Sequence, residues 1–150
     1  TGTGVHTKKR YGVVYSITYF GFMTVDLSEI AIYCYKDNPM FATLAWDLED
    51  VADPNFLTGE VEIDIDGYDK VRKTLEKRHR KKTGFTMTVP AKSRMMSSFL
   101  GAMLEGKRAR IRAFTKGGND TDWSTHKLDG FHATFKEACS WHADYKTFVR

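Results

Sequence analysis

Gly59-Glu60-Val61-Glu62-Ile63-Asp64-Ile65-Asp66-Gly67 is the stretch on which the fold turns. Val61, Ile63 and Ile65 alternate strictly with Glu60, Glu62, Asp64 and Asp66. A period of two puts the β-branched side chains on one face and the carboxylates on the other, so the segment reads as a β-strand with one buried and one wet face. A single wet face points to an antiparallel sheet. Asp66-Gly67 supplies turn chemistry, because glycine accepts the positive φ that a tight turn needs. Residues 68–77 are therefore expected to pair back on the strand, although Val71 and Leu75, four apart, also fit a short helix.

The same period recurs outward in both directions. From Lys107 to Thr115, Ala109, Ile111 and Ala113 alternate with Arg108, Arg110 and Arg112, and after Gly117-Gly118-Asn119-Asp120 the segment Thr121 to Leu128 returns as its partner. Upstream, Tyr11 to Phe20 is rich in β-branched and aromatic residues. Glu29 to Lys36 places Ile30, Ile32 and Cys34 on one face and Ala31, Tyr33 and Tyr35 on the other, and Lys36-Asp37-Asn38-Pro39 turns the chain into Met40 to Asp47. Phe85 to Val89 is a short strand stopped by Pro90.

Two segments carry a helical period instead. Residues 91–105 place Met95, Met96, Phe99, Leu100, Met103 and Leu104 at spacings of three and four, with Gly106 closing the run. Residues 129–140 offer Asp129 as N-cap and a stripe of Phe131, Phe135, Ala138 and Cys139. The expected fold is thus mainly β, of α+β type: an antiparallel β-sandwich or curved sheet with two packed helices, about 91–105 and 129–140. With 150 residues, 41% of them hydrophobic, one domain spanning 1–150 is expected, residues 1–10 forming a flexible arm and 142–150 a tail. No apolar run approaches the roughly 20 residues of a membrane span.

Two cysteines, Cys34 and Cys139, each lie on the apolar side of a patterned element. That placement reads as a structural disulfide and not as a redox or metal centre, and it implies an oxidising compartment, periplasmic or extracellular. Closing a loop of that size stabilises a chain by about 4 to 5 kcal/mol in the chain-entropy picture.

Charge is segregated along the chain. Between Tyr11 and Asp66 there are eleven acids and one basic residue, Lys36; from Gly67 to Arg150 there are nineteen Lys and Arg and eight acids. Three readings follow: internal complementarity, head-to-tail self-association as in a virion or filament subunit, or an anionic partner. The anionic-partner residues are Lys70, Arg72, Lys73, Lys77, Arg78, Arg80, Lys81 and Lys82, joined by Arg108, Arg110 and Arg112. Were the partner a nucleic acid, Tyr68, Phe85 or Trp123 would stack on its bases.

Motifs with chemistry are sparse. Glu62-x-Asp64-x-Asp66-Gly67 has the spacing of a calcium loop's opening, but the twelfth position is Lys73 where a bidentate Glu belongs. His126, His132 and His142 match no closed zinc spacing. Ser97, Ser98 and Ser124 lack a nucleophile elbow, and no glycine-rich phosphate loop follows a strand. No catalytic residue, metal ligand or cofactor is assigned, and the chain is read as non-enzymatic.

From Met96 to Trp141 the order is helix, Gly106, basic strand, Gly-Gly-Asn-Asp turn, strand, then Lys127-Leu128-Asp129-Gly130-Phe131 leading to Ala138-Cys139-Ser140-Trp141. Ile32-Tyr33-Cys34 precedes a short turn, and the next strand ends in Trp46-Asp47. This pattern resembles the exported VasI/TagO-like domains associated with type VI secretion and, more distantly, the invasion-associated locus B proteins. It departs from them at Ser140, where the group carries Gly, and continues through residues 143–150. The resemblance implies an exported, disulfide-stabilised accessory or binding domain of a cell-envelope or secretion-type assembly, with a protein partner. The alternatives are a structural subunit assembling by acidic-to-basic contacts, and a nucleic-acid binder acting through residues 70–82.

Overall fold

A computed structural model describes residues 2–8, 11–20, 26–48, 57–80, 84–116 and 121–149. Along the chain these form β1 (Gly2–Lys8), β2 (Tyr11–Phe20), β3 (Asp26–Tyr35), β4 (Phe41–Asp47), β5 (Leu57–Ile65), β6 (Val71–Thr74), β7 (Glu76–Arg80), β8 (Gly84–Val89), α1 (Arg94–Glu105), β9 (Arg108–Thr115), β10 (Ser124–Lys127), α2 (Phe131–Cys139) and α3 (Tyr145–Phe148). The strands build two antiparallel sheets, one of six in the order β1-β2-β3-β4-β8-β7 and one of four in the order β10-β9-β5-β6. The fold is mainly β with packed helices, as the alternating segments predict.

Both sheets bury the faces expected of them. Ile30, Ile32 and Cys34 of β3 are fully buried, as are Val61, Ala109, Ile111 and Ala113, with Ile63 and Ile65 nearly so. These side chains share one hydrophobic core with Met96, Phe99, Leu100 and Met103 of α1 and Phe131, Phe135 and Ala138 of α2. Each helix thus covers sheet with its apolar stripe.

The helix ends show two different uses of glycine. Ser93 caps α1 by accepting a hydrogen bond from the Met96 amide at 3.0 Å. At the far end, a Cβ on Gly106 would fall 2.6 Å from Ile65 Cγ2, so close packing and not a left-handed turn demands glycine there. α2 starts one residue later than expected: Gly130, at φ 76°, is the N-cap in place of Asp129, and it offers no side-chain hydrogen bond. A left-handed entry excludes a Cβ at low cost, so conformation overrides capping chemistry.

Three expectations are corrected. Residues 2–8, read as an arm, form β1 and pair with β2 from Gly2↔Ile17 to Lys8↔Tyr11. The tail beyond Trp141 packs back: Tyr145 stacks on Phe135 with ring centroids 5.3 Å apart, and Phe148 and Val149 lie against the core. Of residues 68–77, expected to pair back on β5, only Val71–Thr74 does so. β6 pairs with β5 in the small sheet, whereas β7 pairs with β8 in the large one, and Leu75 is the single residue between them. A strand that switches sheets makes the corner of the fold. Leu75 is buried there and its amide donates to the Gly59 carbonyl at 2.8 Å. Gly59 sits at φ 89° within the irregular start of β5, where a Cβ would lie 3.2 Å from Leu75 O.

Candidate functional site

The site begins with the two cysteines. A disulfide joins Cys34 near the end of β3 to Cys139 at the end of α2, with Cα atoms 5.9 Å apart and both residues fully buried. Gly12 of β2 stands opposite Cys34 in register. Its missing side chain leaves room for the backbone of α2, since a Cβ there would lie 2.2 Å from Ala138 O and 2.9 Å from Cys34 Sγ.

Residues after the bridge clamp the β3–β4 turn. His142 Nε2–H points at two carbonyl oxygens, Tyr35 O at 2.8 Å and Asn38 O at 2.6 Å, while Nδ1 accepts from the Asp144 amide at 3.0 Å. These partners specify the neutral tautomer with hydrogen on Nε2. Asp144 Oδ2 in turn accepts from the Met40 amide at 3.2 Å. His142 is therefore a structural latch.

Around this latch lies a surface depression of about 450 Å³, lined by Lys36, Asp37, Asn38, Pro39, Lys92, Trp141 and His142. Asp37 at φ 68° and Lys92 at φ 57° are the two non-glycine residues with positive φ among those described, and both line it. Each such conformation costs of order 1 kcal/mol. Trp141 is 43% exposed, yet its Nε1–H donates to Ala138 O at 2.6 Å, so the ring is held in place while its face stays open. The outer face of the six-stranded sheet carries Tyr11, Tyr33, Tyr35 and Phe41 in contact, with Tyr33 to Phe41 at 5.1 Å and Tyr11 to Tyr35 at 4.9 Å. Burial, followed by the neighbouring Tyr35 and Tyr33 rings, raises the Tyr11 pKa. Tyr33 and Tyr35 fall on the wet face of an alternating strand, and that misplacement of aromatics was the signal for this surface in the sequence.

The expected anionic-partner residues separate into two groups. Arg108, Arg110 and Arg112 of β9 face the acids of β5: Arg108 Nε bonds Asp66 at 2.9 Å, Arg110 bonds Asp64, and Arg112 bonds Glu62 at 2.8 Å. Arg72 of β6 bonds Glu60 at 2.7 Å and lies 3.9 Å over the Phe114 ring. Arg112 stands 4.6 Å over Trp123. The opposite charges of the two halves thus meet within one sheet face, and the carboxylates spaced for calcium serve as partners of arginine. Lys70, Lys73, Lys77 and Arg78 are exposed along the strands that edge the two sheets, where charge resists strand-on-strand association. For Arg80 the backbone alone is described, and Lys81 and Lys82 lie outside the described residues. The aromatics expected to stack on bases do not converge: Phe85 is buried against Trp46, Trp123 lies under arginines, and Tyr68 bonds Glu105.

One polar cluster went unread in the sequence. Ser16 and Ser28 of the large sheet meet Ser124 and His126 of the small one, all four buried. Ser124 donates to Ile111 O at 3.1 Å, Ser28 donates to Ser124 at 2.7 Å, His126 Nε2–H donates to Ser28 at 2.7 Å, and Ser16 donates to Nδ1 at 3.0 Å. With the ring neutral, every hydrogen runs one way along the chain of groups. Burial lowers the His126 pKa to about 4. Although a serine here touches a histidine, the pair is sealed from solvent and serves to align the two sheets. His132 is exposed on α2, so the three histidines do not meet.

Comparison with family models, curated proteins and solved structures returns no match. No helix among the described residues is long and apolar enough to cross a membrane.

Proposed function

We propose that the protein is an exported, non-enzymatic binding domain, an accessory of a cell-envelope or secretion-type assembly, whose protein partner docks on the disulfide corner. The observation that carries this reading is the buried Cys34–Cys139 bridge, which ends two residues before the exposed Trp141. A bridge of this kind persists outside the reducing cytosol. Its mechanical effect is to hold a large amphipathic ring at a fixed place against His142, in the depression that Lys36 also lines. Tryptophan and tyrosine dominate binding energy at protein interfaces, and a ring already immobilised loses little entropy on docking. The resemblance to VasI/TagO-like domains is carried by Leu128-Asp129-Gly130-Phe131 and Ala138-Cys139-Ser140-Trp141, the stretches on either side of α2's core.

The test has two parts. Intact mass of protein recovered from its own cells, with and without reductant, should differ by two hydrogens, and equal masses would remove the export argument. A photo-crosslinking side chain placed at position 141 should then give a discrete protein adduct, whereas one at Lys127 on β10 should not. Equal labelling from both positions would sink the corner as docking site.

A further inference from the structure

Between α1 and the β5–β6 hairpin lies a groove of about 330 Å³, room for roughly ten waters at ~30 Å³ each and at the lower end of small-ligand pockets. Its existence follows from register. Val71 and Lys73 of β6 stand opposite Ile63 and Val61, so both project from the core-facing side of the sheet. β6 is a four-residue edge strand, and both residues remain exposed there. The floor is apolar, with Ile65, Phe99 and Ala102 buried along it. At one side Tyr68 donates its hydroxyl to Glu105 at 2.5 Å, a bond that raises the Tyr68 pKa and occupies the acid at the end of α1.

Charge at the rim is unbalanced. Arg94 and Lys73 both line the groove, and neither has a carboxylate partner among the described residues, in contrast to the four arginines on the opposite face of the sheet. Asp69 is the one acid in the lining. Arg94 begins a helix whose first turn holds no acid. An apolar trough flanked by two unspent cations matches a ligand with a hydrocarbon body and a negative head.

We propose that this groove binds a small amphipathic anion, a medium-chain carboxylate, with its chain along Ile65, Val71 and Phe99 and its head on Arg94 and Lys73. Arginine holds a carboxylate through a planar fork and lysine adds a point charge. The groove is separate from the disulfide corner, so its failure would leave the reading of that corner untouched.

Calorimetric titration of the full, oxidised chain with decanoate, and separately with decanol, tests it. Decanoate should saturate one site, and decanol should bind about tenfold more weakly because it lacks the charge-assisted contacts. The double variant Arg94→Gln with Lys73→Gln should bring decanoate down to the level of decanol. Ser98→Phe, at an exposed position on the groove wall, should abolish both without lowering the unfolding midpoint. Equal binding of acid and alcohol, indifference to Ser98→Phe, or absence of saturation would overturn the proposal. So would a Lys73→Val variant that dimerises while the parent chain binds no decanoate, since Lys73 would then serve to protect the sheet edge.

Discussion

Gly12 lies under Ala138 so closely that one added carbon would fall 2.2 Å from the Ala138 carbonyl oxygen. The disulfide depends on this approach, because Gly12 pairs with Cys34 across β2 and β3 and Ala138 precedes Cys139. The backbone of α2 reaches the sheet where a side chain is missing, and only at that depth do two buried sulfurs meet. A glycine on one strand thereby positions a bridge formed by another.

Replacing Gly12 by Ala should consequently destabilise the oxidised protein by about 1 to 3 kcal/mol, the usual cost of overpacking. The clash is with backbone, so relief requires α2 to move. Urea unfolding of the disulfide-bonded variant measures the effect, and an unchanged midpoint would contradict the close approach.

Removing the bridge should cost about 4 kcal/mol, since it closes a loop across a sequence separation of 105 residues. The comparison is between the wild-type oxidised chain and the double variant Cys34→Ala with Cys139→Ala. A loss under about 1 kcal/mol would mean that α2 docks as well without the covalent tie.

His126 makes stability depend on pH in a defined direction. Its pKa is about 4 in the folded protein and about 6.5 when unfolded, so in between the unfolded state binds the extra proton. The stabilisation is complete above about pH 6.5 and falls as acid is added, by on the order of 3 kcal/mol in total down to about pH 4. Unfolding midpoints across that range should decline for the native chain and flatten for His126→Gln. Parallel slopes for the two proteins would place the titration elsewhere.

The arginine ladder should show graded costs. Arg108→Ala, at an exposed and solvent-screened pair with Asp66, should leave the urea midpoint nearly unchanged. Arg112→Ala should cost more, about 1 to 3 kcal/mol, because Glu62 is buried and its main partner would be gone. Added salt should weaken the first effect more than the second. Equal losses measured by urea unfolding would show that burial does not differentiate them.

Much of the fold was legible because strand alternation is local. The faces of β3, β5 and β9 follow from a period of two, and α1 and α2 from a period near four, with the buried residues falling where the pattern put them. The arginine-to-carboxylate ladder was half legible, since each face was visible while its register was not. Residues 68–77 pair back on β5 as expected only over Val71–Thr74, because a single hairpin and a strand that changes sheets share one local pattern, and Leu75 meeting Gly59 marks the change. Ser16, Ser28 and Ser124 carried no signal at all, being small polar residues whose meaning depends on a histidine about a hundred positions away from the first two.

By itself the sequence determined the inward faces of β3, β5 and β9, that α1 and α2 are helices, and that Cys34 and Cys139 belong to buried faces, because side-chain periodicity is set by backbone geometry within a few residues. The tertiary structure decided which strand joins which sheet, that the tail latches the β3–β4 turn through His142, and that a groove remains open along β6. Those outcomes depend on contacts between segments distant in the chain, where packing depth and the pairing of buried polar groups choose among arrangements that local pattern leaves equivalent.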